Sequence, residues 1–229
     1  MAAERLSKDT VAERALSLGD EVGLEAVTIR RLAQELHVSP MALYWHFKNK
    51  EELFLGIVDH VLSGLRLAGD EVDPMAQLRH MVETLVTLMR AHPVLPDLLH
   101  ACDKSQADGF IRATEDSLAI LTRLGFTVEE SFWAATYLLN GAIALAAGDP
   151  AAKAKVPEAD RPEWRRQQRL AIERLPAPDF PMLVDYAKTY DTEPDLDHYY
   201  RFGVDLLMAA VATYSAEIAG RPGGVVPPR

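Results

Sequence analysis

The stretch Pro40-Met41-Ala42-Leu43-Tyr44-Trp45-His46-Phe47-Lys48-Asn49-Lys50 concentrates side chains that could meet a polyanion. Tyr44, His46, Lys48 and Lys50 offer hydroxyl, imidazole and ammonium groups at positions that flank a helix. Such groups bond phosphate oxygens and fix a protein on a duplex, whereas sequence is read at base edges. Pro40, Met41 and Ala42 are small or adaptable, which suits the tip of a helix entering a major groove about 12 Å wide. Met41 and Ala42 offer apolar contact only, for example to a thymine methyl. Leu43 and Phe47, four apart, are expected to face an inner core with Val38. Trp45 is expected to join that core, because tryptophan is mostly buried. Tyr44, whose neighbours already fill the inner face, is left to point its hydroxyl at a phosphate.

Positioning these groups requires helices. Apolar residues recur at helical spacing almost throughout, and no strand alternation stands out. A first helix is expected from about Asp9 to Val22, burying Val11, Ala15, Leu18 and Val22, with Gly23 ending it. Thr28 is a good cap for a second, Ile29 to His37, which buries Ile29, Leu32, Ala33 and Leu36. After a corner at Val38-Ser39, Ser39 caps a third helix with Pro40 at its first position, expected to run through Phe47. Two short helices joined this way form a helix-turn-helix, which presents one helix to a groove. Further helices are expected at Glu51 to about Leu67, Pro74–Ala91, Pro93–Ala101, Gln106–Leu124, Val128–Ala147, Pro162–Leu175, Phe180–Tyr190 and Leu196–Ile218. Gly148–Arg161 and Pro176–Pro181 read as loops. The reading is all-α: a three-helix helix-turn-helix head over residues 1–50, a helical-bundle ligand-binding and dimerisation body over 51–218, and a Gly/Pro-rich disordered tail over 219–229.

Leu43-Tyr44-Trp45-His46-Phe47-Lys48-Asn49-Lys50-Glu51-Glu52-Leu53, preceded by Gly23 and Thr28-Ile29-Arg30-Arg31-Leu32-Ala33, resembles the reading head of the tetracycline-repressor (TetR) family. The likeness covers about residues 9–60. A weaker one lies in Tyr199-Tyr200-Arg201-Phe202-Gly203-Val204-Asp205-Leu206-Leu207, similar to the last helix of one group of these regulators. The resemblance implies a ligand-responsive transcriptional repressor: a homodimer binding an inverted-repeat operator in double-stranded DNA, released by a small-molecule effector held in each body. By position it implies phosphate contacts from Thr28, Tyr44, His46 and Lys50, and places Arg30, Pro40, Met41 and Ala42 near base edges, with Ser39 in the same DNA-binding set. Arg30 could pair bidentately with guanine, the commonest specific contact. Burial of Ile29 and Leu32 turns both Arg30 and Arg31 outward, so periodicity leaves that choice open and only the family pattern favours Arg30. Lys50 opens a helix whose backbone N–H groups also attract phosphate.

Charge neither requires nor forbids this function. The net charge is −10, yet residues 1–50 carry seven basic and seven acidic side chains, so the excess lies beyond residue 50, with 17 basic against 27 acidic. Within Thr28–Lys50, four basic residues face one acid, Glu35. An acidic body is repelled by DNA and holds the basic end toward it. The single cysteine, Cys102, excludes an intrachain disulfide framework and favours a reducing, cytoplasmic setting. No signal peptide is expected. The 18-residue uncharged run Ser131–Gly148 contains Ser131, Thr136 and Asn140 and is flanked by acids, which favours a buried or interfacial helix over a membrane span.

The effector site is less defined. His100, Phe110, Trp133, Tyr137 and Asn140 are the ligand-binding candidates, with His80 and Cys102 behind them; each could equally be a paired core residue, and Asn140 a dimer-seam residue. Trp164 and Gln168 could form a lid. Two adjacent apolar stripes on the last helix, Tyr199-Phe202-Leu206-Ala210 and Tyr200-Val204-Leu207-Val211-Tyr214, predict a two-fold dimer through this helix and the uncharged one. No motif demands a cofactor or a metal. The rival reading as an enzyme would use Asp195, Asp197 and His198 with Asp185 or Asp191, or Cys102 with His100, but neither set has a catalytic spacing. A scaffold that has lost DNA binding is disfavoured by Thr28, Tyr44 and Lys50.

Overall fold

The computed structural model of the 229-residue chain describes residues 6–65, 73–150 and 156–220. Its regular elements, among the described residues, are all helical: α1 (Lys8–Val22), α2 (Ile29–Glu35), α3 (Pro40–Tyr44), α4 (Lys50–Ser63), α5 (Pro74–Ala91), α6 (Leu95–Ala101), α7 (Asp108–Arg123), α8 (Val128–Ala147), α9 (Arg161–Glu173), α10 (Pro181–Ala187) and α11 (Leu196–Ala219). Short 3-10 turns occupy Leu24–Ala26, Lys104–Gln106, Glu158–Asp160 and Lys188–Asp191. The expected tail beyond Gly220 and part of the Gly148–Arg161 loop lie outside the described residues, and the fourth helix, expected to about Leu67, ends at Ser63 with Gly64 as its cap.

Side-chain caps set most helix starts. The oxygens of Ser7, Thr28, Ser39, Asn49 and Asp73 accept from the backbone N–H groups of Thr10, Arg31, Ala42, Glu52 and Ala76. Thr127 and Glu130 form a reciprocal box at α8: the Thr127 hydroxyl accepts from Glu130 N–H (3.2 Å) and the Glu130 carboxylate accepts from Thr127 N–H (2.9 Å). Gly23 (φ 80°) and Gly125 (φ 97°) end α1 and α7 in backbone conformations that side chains resist.

Two compact units result. One is built from the residues up to Ala146 together with the stretch from Leu206 on; the other is Ala147–Asp205. The head–body boundary expected near residue 50 falls inside the first unit, where α4 carries the chain from one to the other. The core of this unit holds Leu18, Leu32, Leu43, Leu53, Ile57, Leu95, Leu98 and Leu121, all without solvent contact or nearly so. The later part of α11 closes against the α7–α8 corner. Tyr214 donates to Glu130 (2.7 Å) and packs on Phe126 with ring centroids 5.2 Å apart, and the Ser215 hydroxyl donates to the Leu124 carbonyl (2.7 Å). Leu207 approaches Gly141 of α8 so closely that a Cβ there would meet it at 2.5 Å.

The second unit comprises α9, α10 and the start of α11. Arg165 pairs with Glu193 (2.8 Å), Arg169 bridges Glu173 and Asp191, and Tyr200 donates to Asp149 (2.7 Å). α11 is the one helix among the described residues long and apolar enough to cross a membrane by length and composition, rather than the uncharged run that is α8.

Candidate nucleic-acid interface

The head is assembled on α4. Phe47 is buried against Gly56, where a Cβ would stand 2.3 Å from the Phe47 ring, so glycine is required for the close approach. Leu43 is fully buried, and α2 packs on α3 while α1 crosses α4. The corner between α2 and α3 includes His37 in the left-handed region (φ 54°). There His37 N–H donates to the Gln34 carbonyl (3.2 Å) and Val38 N–H to the Ala33 carbonyl (3.0 Å), the two bonds that close a helix and redirect the chain.

α3 ends at Tyr44, earlier than the expected Phe47, because Asn49 must be extended (φ −154°, ψ −179°) to cap α4. Trp45 overturns its expectation as a core residue: it is 85% exposed. Leu43 and Phe47 take the inward positions, and Trp45, two residues from each, is turned to the opposite side. Met41 (66%) and Tyr44 (47%) share its exposure. Thr28, Arg30, Ser39, Pro40 and Lys48 are also exposed, whereas Ala42, His46 and Lys50 are half-buried. These groups lie along α2, α3, the turn after it and the first residue of α4. Trp45 was the residue sequence reasoning missed; the helical spacing of Leu43 and Phe47 was the signal that could have found it. Val22, expected on the buried face of α1, is exposed at the last residue before the Gly23 turn.

The electrostatics of this surface favour an anion. Arg14 of α1 pairs with Glu35 (2.7 Å) and Glu21 (2.9 Å), so the one acid between Thr28 and Lys50 is engaged from behind. The Arg14 hydrogen bond holds the Glu35 carboxyl below its ordinary range, with the positive charges of Arg14 and Arg31 adding to it. Arg31 is half-buried and its charge acts on the Glu35 carboxyl, while Arg30 is exposed and makes no ion pair among the described residues. Thr28 and Ser39 use their oxygens as caps and keep their O–H groups to donate. The Lys50 ammonium donates to the backbone carbonyls of Leu24 (3.0 Å) and Glu25 (3.4 Å) and stands 5.0 Å from the Phe54 ring centroid. It braces the loop between α1 and α2, with one N–H left over.

Contacts tie the head to the body. The Asp20 carboxylate lies 2.7 Å from Nδ1 of His92 and accepts from Val94 N–H at 3.1 Å, at the corner between α5 and α6. Leu62, near the end of α4, lines an apolar cavity of ≈ 130 Å³ with Val82, Phe110, Ser117, Phe132 and Thr136. Of the sequence-predicted ligand residues only Phe110 reaches it. Trp133, Tyr137 and Asn140 stand on the outer face of α8, with Tyr137 73% exposed. His100 ends α6 with Nδ1 on the Pro96 carbonyl (3.0 Å), and Cys102 follows it, its thiol pushed up by burial. The carboxylates of the enzyme reading have structural partners: Asp195 accepts from His198 N–H (2.9 Å), Asp191 pairs with Arg169, and Asp185 with Lys188 (2.7 Å).

The family described as "Bacterial regulatory proteins, tetR family" matches residues 12–57, the segment that builds this surface. The chain is 32% identical over 131 residues to the class E tetracycline repressor protein of Escherichia coli, an alignment covering 56% of this chain and 62% of that protein. It is 27% identical over 225 residues to the HTH-type transcriptional repressor DrrR1 of Streptomyces coeruleorubidus, covering 94% of this chain and 80% of that one. The TetR family protein ActR of Streptomyces coelicolor, solved in complex with (S)-DNPA, superposes with a TM-score of 0.71 at 26% identity, covering 93% of this chain and 100% of that one.

Proposed function

We propose, from the premise that this chain belongs to the tetracycline-repressor family of bacterial regulators, that it is a cytoplasmic repressor whose homodimer grips an inverted-repeat operator until a small molecule enters the body. The observation that carries the DNA-binding part is the exposed edge Arg30, Met41, Tyr44 and Trp45, beside an acid already neutralised by Arg14. In this reading Thr28, Ser39, Tyr44 and His46 hold phosphates, Arg30 reads a base, and Pro40, Met41 and Ala42 meet base edges. Trp45 adds an apolar wall beside the sugar–phosphate chain. Lys50 shapes the head first and adds charge second.

Release follows from the position of Leu62. A cavity of ≈ 130 Å³ is smaller than the ~300–1,000 Å³ of sites for drug-sized ligands. An effector entering it must push α5, α7 and α8 outward and press on α4, which carries the Phe47–Gly56 contact to the recognition helix. Such a ligand favours the state with the wider cavity and different head spacing. The named relatives repress transcription, and the solved relative holds a small molecule, which supports this order of events.

Selection of bound fragments from random duplex DNA, followed by mobility-shift titration at two salt concentrations, tests the reading. The expected result is an inverted repeat bound far more tightly than unrelated DNA, with affinity falling steeply with salt. Equal, weak binding to all sequences would overturn it. A thermal-shift screen of small molecules with the operator complex then identifies the effector as a compound that both raises the melting temperature of the free protein and releases DNA.

A further inference from the structure

The second unit contains a cavity that neither the reading head nor the Leu62–Phe110 cavity uses. Its volume is ≈ 750 Å³, within the range of about 300–1,000 Å³ typical of small-molecule sites. α9, the turn after α10 and the start of α11 form its walls, and Trp164, Tyr186, Tyr190 and Tyr199 line it. Tyr190 meets Trp164 edge to face (6.3 Å, 65°) and Tyr186 likewise (5.7 Å, 79°), so three rings hold one another in place. Burial pushes the hydroxyls of Tyr190 and Tyr199 above their ordinary range, which keeps both as neutral donors.

The charged groups of the lining differ in their partners. Arg165 is paired with Glu193 (2.8 Å), and Asp195 caps α11 through His198 N–H (2.9 Å). Arg161 remains. Its Nε is shut off from solvent with no hydrogen-bond acceptor, and its guanidinium makes no ion pair among the described residues. The rest of the guanidinium lines the cavity without an ion-pair partner, and an anionic acceptor there, a carboxylate above all, forms the stronger charge-assisted kind of hydrogen bond. Aromatic walls alone would also suit a quaternary ammonium, but an unpaired guanidinium repels one.

We propose that this cavity is a second small-molecule site, distinct from the effector cavity of the first unit, and that it takes a planar aromatic carboxylate with its rings against Trp164 and Tyr190 and its carboxylate on Arg161. The Trp45→Phe/Trp133→Phe protein leaves Trp164 as the only tryptophan and therefore a local reporter. Titration with anthraquinone-2-carboxylate should quench Trp164 saturably. The uncharged anthraquinone-2-carboxamide should bind at least about tenfold more weakly, and Arg161→Gln should weaken the carboxylate by a similar factor, as loss of a charge-assisted hydrogen bond requires. Circular dichroism checks that Arg161→Gln folds; should it not, the carboxylate–carboxamide comparison still decides. Absence of saturable quenching overturns the proposal, as does equal binding of carboxylate and carboxamide, or preference for benzyltrimethylammonium. Loss of the signal on Thr114→Phe, which fills the other cavity, would place the ligand there and overturn it as well.

Discussion

Arg30 and Arg31 differ by one position and by what each faces. Arg31 is half-buried and its charge acts on Glu35, whereas Arg30 is exposed and unpaired among the described residues. Arg30→Ala is expected to cost about 1–3 kcal/mol at the cognate operator and to relax preference at one base pair per half-site. Arg31→Ala should change all sequences alike and only slightly. Titrating both variants against the operator and its single-base relatives checks this; lost discrimination in Arg31→Ala alone would reverse the assignment. Lys50 is a second case where position and partners diverge, since its ammonium bonds the carbonyls of Leu24 and Glu25. Lys50→Ala should lower the melting temperature and weaken operator and unrelated DNA equally, with the salt slope falling by no more than about one. A melting temperature and slope both unchanged would remove the residue from either role.

In the proposed release α4 is the connecting helix, and it is pinned where it meets α7. The Asp59 carboxylate accepts from Gly109 N–H at 2.6 Å, and a Cβ on Gly109 would stand 2.9 Å from both the Asp59 carbonyl oxygen and the Ser63 nitrogen. Backbone atoms cannot yield as a flexible side chain would. Gly109→Ala should therefore destabilise the fold by about 1–3 kcal/mol, as overpacking does, and shift α4 enough to weaken operator binding. Chemical denaturation with a parallel mobility shift measures both, and a variant as stable and as tight as the parent would show that α4 has slack there. The element scale is also where the sequence was most readable. α5 and α8 begin and end where Asp73-Pro74 and the uncharged run up to Ala147 predict, because caps and punctuation are local chemistry. The apolar cavity beside Leu62 was not readable for a rotational reason. Phe132 and Thr136 reach the cavity lining although both stay exposed, while Trp133 and Tyr137, one residue on and about 100° round the helix, do not reach it. A helix apolar on nearly every side gives periodicity no means to choose between those faces.

At the scale of the molecule, the outer faces of α8 and α11 have no cover among the described residues. Trp133 and Tyr137 on α8 and Leu206 on α11 are all more than half exposed, while Met208 and Val211 on α11 are buried. One stripe of α11 is used by its own chain; in the proposed homodimer a second copy covers the other, an arrangement that closes with two-fold symmetry. The parent is expected to run as a dimer at micromolar concentration in light-scattering chromatography, and Leu206→Glu as a folded monomer with greatly weakened operator binding. A monomeric parent would remove the dimer. The hydroxyl of Ser215 reaches back to the carbonyl of Leu124, 91 residues earlier, and that reach has a meaning in time. A ribosome adds roughly 5–20 residues per second, so the α7–α8 corner waits on the order of 5–18 s for the helix that seals it. During that interval Phe126 lacks the ring of Tyr214 and Gly141 lacks the side chain of Leu207 that cover them in the finished fold.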